Sequence, residues 1–249
     1  MEKNIWVRSF GELKNLRNLT ICGLMAALAV ALNYTASFEV GPYIRIGISG
    51  LPNQVVAFLF GPGVGMIFGA MLDIIKYLLK PTGPFFPGFT LSAALGGMIY
   101  GLFLYGRKLP RIDLGDRKIS VISASGIILT VAGEILTAIY GVSLLGDDGQ
   151  ASASNAYLIA GVAMLVLGSI ILYYIFRHLF LAQLLVKIFV NIVLNTLWLK
   201  LLYDKAVFAI LPGRLLSNTV MLPVDTLLLF AVLILVRRIV PVTYSEKAA

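Results

Sequence analysis

The chain of 249 residues is 59% hydrophobic and 13% charged. Soluble domains carry roughly a quarter charged residues, so a water-soluble globule is excluded before any motif is considered. The formal net charge of +8 does not argue for nucleic acid, because the basic residues stand at the ends of apolar runs, where anionic headgroups and the positive-inside rule explain them.

The opening residues mix Glu2 and Glu12 with Lys3, Arg8, Lys14 and Arg17, unlike a cleaved signal peptide, so the first apolar run is expected to be retained. That run, Leu16 to Ala36, is long enough to cross roughly 30 Å of hydrocarbon. Its single cysteine, Cys22, allows neither an intramolecular disulfide nor a multi-thiolate metal site and reads as a packing residue. Gly23, Ala27 and Ala31 recur every four residues, a small-residue stripe that admits either a partner helix or close packing within the chain. The connector Gly41-Pro42-Tyr43-Ile44-Arg45-Ile46-Gly47 follows, then two short spans, Ile46 to Phe60 and Val64 to Leu79, which meet in a tight turn at Gly61-Pro62-Gly63 with Pro62 in the first helical turn. Asp73 and Lys76 stand three apart on one face of the third span, either as a structural ion pair or facing a cavity, and Lys80 extends that face. The next connector, Lys80 to Gly88, has three prolines in nine residues and carries Phe85 and Phe86. It reads either as a rigid lid that loses little entropy on closing over a ligand or as a stiff link with interfacial aromatic anchors.

After the fourth span, Phe89 to Tyr105, comes a basic link with Arg107, Lys108, Arg111, Arg117 and Lys118. The fifth and sixth spans, Ile119 to Val142 with Glu134 and Tyr157 to Phe176, are joined by the polar stretch Gly146 to Asn155. That stretch is the longest polar run, so no soluble domain can be carved out and residues 1–249 read as one transmembrane domain. The seventh span, Leu179 to Tyr203, carries Gln183, Lys187, Asn191 and Asn195 at spacings of four, with Thr196 and Trp198 behind them. These amides either read the donors and acceptors of a heterocycle that Trp198 stacks upon or hydrogen-bond to neighbouring helices, while Lys187 is expected to snorkel. Leu211 to Asn218 reads as a turn presenting Arg214 before the last span, Leu215 to Val236. Eight spans place both termini on one face, and the charges make that face cytoplasmic. The opposite face holds Arg45, Lys80 and Arg214, a cationic mouth suited to an anionic solute, with lipid phosphate as the alternative partner of Arg214.

Enzyme chemistry has no foothold in this pattern. His178 is the sole histidine, and there is no His-Glu-x-x-His, repeated Asp motif, Gly-x-Ser-x-Gly or Walker A sequence. No catalytic residue, metal ligand or cofactor is expected, and ATP-driven transport would need other polypeptides.

Several of these residues carry a family resemblance: Gly41 to Gly47, Gly61-Pro62 followed by Gly69, Asp73 and Lys76, the run Pro81 to Thr90, Asn191, Asn195-Thr196-Leu197-Trp198, Pro212-Gly213-Arg214-Leu215 and Pro223. In them the chain resembles the folate-specific substrate-binding S components of energy-coupling factor (ECF) vitamin transporters. The resemblance implies an all-α integral membrane protein, a six-helix S-component bundle, to which residues of about 112–176 add an inserted helical hairpin. It implies high-affinity folate capture at the extracellular face of the cell membrane, and docking on a membrane coupling protein and two cytoplasmic ATPase subunits. The Ala27 and Ala31 spacing looks like the family's docking motif. Arg45 and Arg214 would meet folate carboxylates, Phe85 and Phe86 close the lid, and Asp73, Asn195 and Trp198 lie near the rings, with Lys76 a further substrate-binding candidate. The other readings are an S component for thiamine, riboflavin or pantothenate, and a structural or lipid-interacting membrane protein with no small-molecule site.

Overall fold

The structure, a computed structural model, describes residues 4–35, 37–40, 44–47, 49–81, 83–107, 125–126, 128–130, 132–133, 151–203 and 207–239. It is helical apart from one short hairpin. Among the described residues, five helices are long and apolar enough to cross a membrane: Leu16–Thr35, Pro62–Leu79, Pro87–Leu104, Arg177–Leu202 and Ser217–Val236. Leu51–Phe60 and Ile159–Ile175 are shorter apolar helices. The expected span Ile119 to Val142 lies largely outside the described residues, although those described between 125 and 133 are helical.

A short helix not anticipated from the sequence, α1 (Ile5–Glu12), precedes the first span, α2 (Leu16–Thr35). Asn4 caps α1 by accepting from the Trp6 N–H at 3.4 Å. Buried Ser9 then reaches the junction of α3 (Leu51–Phe60) and α4 (Pro62–Leu79). Its hydroxyl donates to the Phe60 carbonyl at 2.7 Å and accepts from the Val64 N–H at 3.1 Å. Backbone groups at helix ends need partners, most urgently where water is scarce, and one serine serves both helices. Gly61 makes the turn with φ 90°, a conformation open to glycine, and a Cβ there would lie 2.9 Å from Ser9 Oγ.

Between α2 and α3 stands an antiparallel hairpin, β1 (Ser37–Val40) and β2 (Ile44–Gly47), in the register Phe38↔Ile46, Glu39↔Arg45 and Val40↔Ile44. The expected second span is corrected accordingly: Ile46 belongs to a strand, and the helix begins only at Leu51. The alternation of β-branched or aromatic residues with Glu39 and Arg45, around Gly41-Pro42, has period two rather than 3.6.

Helix α5 (Pro87–Leu104) packs most extensively against α4. The contact is backbone to backbone: a Cβ on Gly65 would lie 2.6 Å from the Gly97 carbonyl oxygen, and Gly69 and Gly101 similarly abut Ala93 and Pro62. Helix α6 (Ala151–Ile175) packs on the helical residues within 125–133, where Gly126 meets Ile171, Gly133 meets Leu165, and Gly168 meets Thr130. One residue, Phe176, separates α6 from α7 (Arg177–Leu185). Helix α7 continues as a π-helical segment, Val186–Leu194, and then as α8 (Asn195–Tyr203).

The last helix, α9, runs from Val207 to Ile239. The expected turn at Leu211 to Asn218 is therefore helix. Pro212 stands sixth in this helix and forgoes the N–H bond to the residue four before it. Helix α9 packs on α3, α7, the π segment and β2, while α2 lies outside on α3 and α4.

The Gly65–Gly97 approach generates a prediction. Gly97→Val should destabilise the protein by about 1–3 kcal/mol, the usual cost of overpacking, whereas Gly23→Ala, which meets no atom within 4 Å, should leave thermal unfolding in detergent unchanged.

A candidate ligand site at the hairpin end of the bundle

Interior polar groups divide into two sets, one mutually satisfied and one not. Deep in the bundle, Gln54, Tyr100 and Gln183 are all buried and form a closed ring. Gln54 Nε2 donates to the Tyr100 hydroxyl at 3.1 Å, that hydroxyl donates to Gln183 Oε1 at 2.8 Å, and Gln183 Nε2 donates to Gln54 Oε1 at 3.0 Å. Every amide gives and takes, which such groups require in a low-dielectric interior. The ring ties α3, α5 and α7 together. One turn above Gln183, the Lys187 ammonium lies 2.7 Å from Asp225 Oδ2, with the lysine side chain 8% exposed. Lys187 therefore does not snorkel, because α9 supplies its counter-ion. Sequence reasoning missed Asp225, although a lone acid in the last apolar run, on a chain with an unexplained membrane lysine, was a usable signal.

Nearer the hairpin end, the ring gives way to groups arranged around aromatic surfaces. Thr90 Oγ1 donates to Asp73 Oδ2 at 2.8 Å, joining α5 to α4. Lys76 Nζ donates to the Ser49 carbonyl at 2.9 Å, so Asp73 and Lys76 hold separate partners although they share a helix face. The Phe86 ring stands 5.6 Å from that of Trp198 and 5.9 Å from that of Phe89. Trp198 is fixed by its indole N–H, which donates to Ser92 Oγ at 3.0 Å. Between Phe86 and Trp198 sits Gly88, where a Cβ would clash with Phe86 and lie 2.7 Å from the indole. The two loop phenylalanines part company: Phe86 joins Trp198, whereas Phe85 is 46% exposed and packs on Tyr77 with centroids 5.2 Å apart.

Three buried oxygens in this region, Asn53 Oδ1, Asn195 Oδ1 and Thr196 Oγ1, have no hydrogen-bond partner among the described residues. A buried acceptor left unpaired costs about 1–3 kcal/mol, so such groups call for a function. Asn53 was not among the expected site residues. Its side chain lies against Gly69, whose missing side chain makes the room.

Across the bundle, Arg214 Nη1 donates to the Asn191 carbonyl at 2.9 Å. The π segment bears on this contact. The Asn195 N–H reaches back five residues to the Val190 carbonyl, whereas an α-helix would have joined it to Asn191. Arg45 stands at the centre of β2, the strand that packs on the helix carrying Arg214. Ala27 and Ala31 lie elsewhere, exposed along with Gly23 on the outer face of α2.

The family model described as "ECF transporter, substrate-specific component" matches residues 17–233. The chain is similar to the folate transporter FolT of Clostridium novyi, with 23% identity over 218 residues covering 88% of each chain. It is also similar to the FolT of Streptococcus mutans, with 28% identity over 121 residues covering 49% of this chain and 64% of that one. A crystal structure of FolT bound with folic acid shares the fold with a TM-score of 0.56 at 22% identity, over 87% of this chain and 93% of the other.

The buried ion pair yields its own expectation. Lys187→Met should cost about 3–5 kcal/mol by stranding Asp225, and Lys187→Met with Asp225→Leu should recover most of that loss, as read from unfolding midpoints in detergent.

Proposed function

From the premise that the chain belongs to the family of ECF transporter substrate-specific components, a match spanning residues 17–233, we propose that it is the folate-capturing subunit of an ECF vitamin importer. The family consists of binding subunits of transporters, so the expected work is capture rather than catalysis. The observation that carries the folate reading is the aromatic group of Phe86 and Trp198 with Gly88 between them, Trp198 standing on the same continuous helix stretch whose Asn191 carbonyl holds Arg214. Relatives called folate transporters support it.

Folate has a flat pterin, a benzoyl ring and a glutamate tail. A flat heterocycle stacks on Trp198 and Phe86. The ring N–H groups suit the Asp73 carboxylate and the unpaired oxygens of Asn53 and Asn195, all acceptors. The tail carboxylates suit Arg214, whose planar fork matches them in geometry and charge, with Arg45 and Lys76 adding positive potential. Phe86 serves as the closing residue of this reading, and Phe85 as an interfacial neighbour.

We infer further that both termini are cytoplasmic and that the hairpin end faces outward, since Arg8, Lys14, Arg17, Arg107 and Arg177 stand at the opposite end. The exposed stripe of Gly23, Ala27 and Ala31 then serves a membrane coupling protein that brings two ATPase subunits, because small exposed residues permit close helix approach. The segment of about 112–176 is an addition to a six-helix bundle, and its helix α6 packs on α7 and α9.

Titration of folate into the purified protein in detergent, with Trp198 and Trp6 fluorescence as the readout, should give one-to-one binding. Arg214→Ala should weaken it by about 1.5–3 kcal/mol, the scale of a charged hydrogen bond. Thermal stabilisation by thiamine, riboflavin or pantothenate but not by folate would overturn the substrate. Ala27→Leu with Ala31→Leu should abolish folate uptake by cells while leaving binding by the isolated subunit intact; loss of binding would instead assign both residues to internal packing.

A further inference from the structure

Arg214 is held in a closed circuit of hydrogen bonds that begins and ends on itself. Its Nη1 donates to the Asn191 carbonyl at 2.9 Å, Asn191 Nδ2 donates to Asn218 Oδ1 at 3.2 Å, and Asn218 Nδ2 donates back to the Arg214 carbonyl at 2.8 Å. The Ser217 hydroxyl also donates to that carbonyl, at 3.3 Å. All three members are half-buried and lie on two helices, the π segment and α9. Neither a carbonyl nor an amide carries formal charge, so this circuit orients the guanidinium through hydrogen-bond geometry.

We propose that Asn218 is a positioning residue for the anionic end of the ligand, acting through Arg214 and through the carbonyl that the π segment leaves for it on Asn191. The inference rests on the reading that Arg214 meets a carboxylate of the ligand. An unrestrained arginine gives up rotamer freedom when it is fixed. Bonds within the chain that already restrain it lower that cost, which is how preorganisation raises affinity. Asn218 holds both ends of the arrangement: its oxygen orients Asn191, and its N–H group holds the backbone from which Arg214 springs. The π segment is the third component. With regular α-helical bonding, the Asn195 N–H would share the Asn191 carbonyl with Arg214.

The test compares folate with the primary amide of pteroic acid, which shares the pterin and benzoyl rings but carries no carboxylate, using the full-length protein in detergent. Wild type should bind folate more tightly than the amide. Asn218→Ala should weaken folate roughly tenfold, the scale of one or two neutral hydrogen bonds, and leave the amide within about twofold. In an Arg214→Ala background the same substitution should have no further effect on folate, because a residue that acts through another shows full coupling to it. Asn191→Ala provides a second variant should Asn218→Ala fail to fold, and the same selective loss is expected of it. Equal weakening of both ligands, no weakening of either, or additivity with Arg214→Ala would overturn the proposal while leaving the carboxylate reading in place. A wild type that fails to distinguish folate from the amide, which has no carboxylate, would instead overturn the carboxylate reading, and the proposal with it.

Discussion

The backbone contact between α4 and α5 at Gly65 and Gly97 sets the geometry on which the other elements depend. Lipid tails are as apolar as leucine, so two helices gain little from hiding apolar surface against each other, and close approach must come from dispersion and shape. Glycines at spacings of four on both helices let their backbones touch over two turns. At one end this brings Pro62 against Gly101 and fixes the turn that Ser9 closes. At the other it brings Thr90 within hydrogen-bonding distance of Asp73 and sets the start of α5, with Gly88, beneath Trp198.

Polar groups are then sorted by depth. The Gln54–Tyr100–Gln183 ring and the Lys187–Asp225 pair are internally matched, and they join the α4–α5 core to α7 and α9. The oxygens of Asn53 and Asn195 are buried and unmatched among the described residues. A protein that binds a heterocycle needs this division, with paired groups specifying one bundle and unpaired acceptors held ready by it. Gln183 and Asn195 occupy the same four-residue stripe, yet they fall on opposite sides of the division.

Much of this was legible from residue patterns, and the failures have physical causes. The apolar runs located α2, α4, α5, α6 and the helix from 177 to 202, because lipid leaves a backbone few options but helix. The hairpin was read as loop and span since its strands are only four residues each and their alternation merges with the apolar run that follows. Helix α1 is too short to announce itself; its buried Ser9 matters only once Phe60 and Val64 are neighbours. The stripe on the seventh span was found, but not its division, which depends on Gln54, Tyr100 and Asp225 arriving from three other helices. Trp198 and Phe86, both expected to bind the ligand, touch each other, whereas Phe85, an identical side chain next door, faces Tyr77 instead.

The π segment also bears on how this chain should be compared with others. Each π turn holds one residue more than the α turn it replaces, so Val186–Leu194 contains a residue that a plainly α-helical relative of equal span would lack. Because an α-helix advances about 100° per residue, an alignment drawn straight through this stretch would carry Asn195 and Trp198 onto positions facing another direction. The proper correspondence would have a one-residue gap inside a continuous helix, where gaps are ordinarily forbidden.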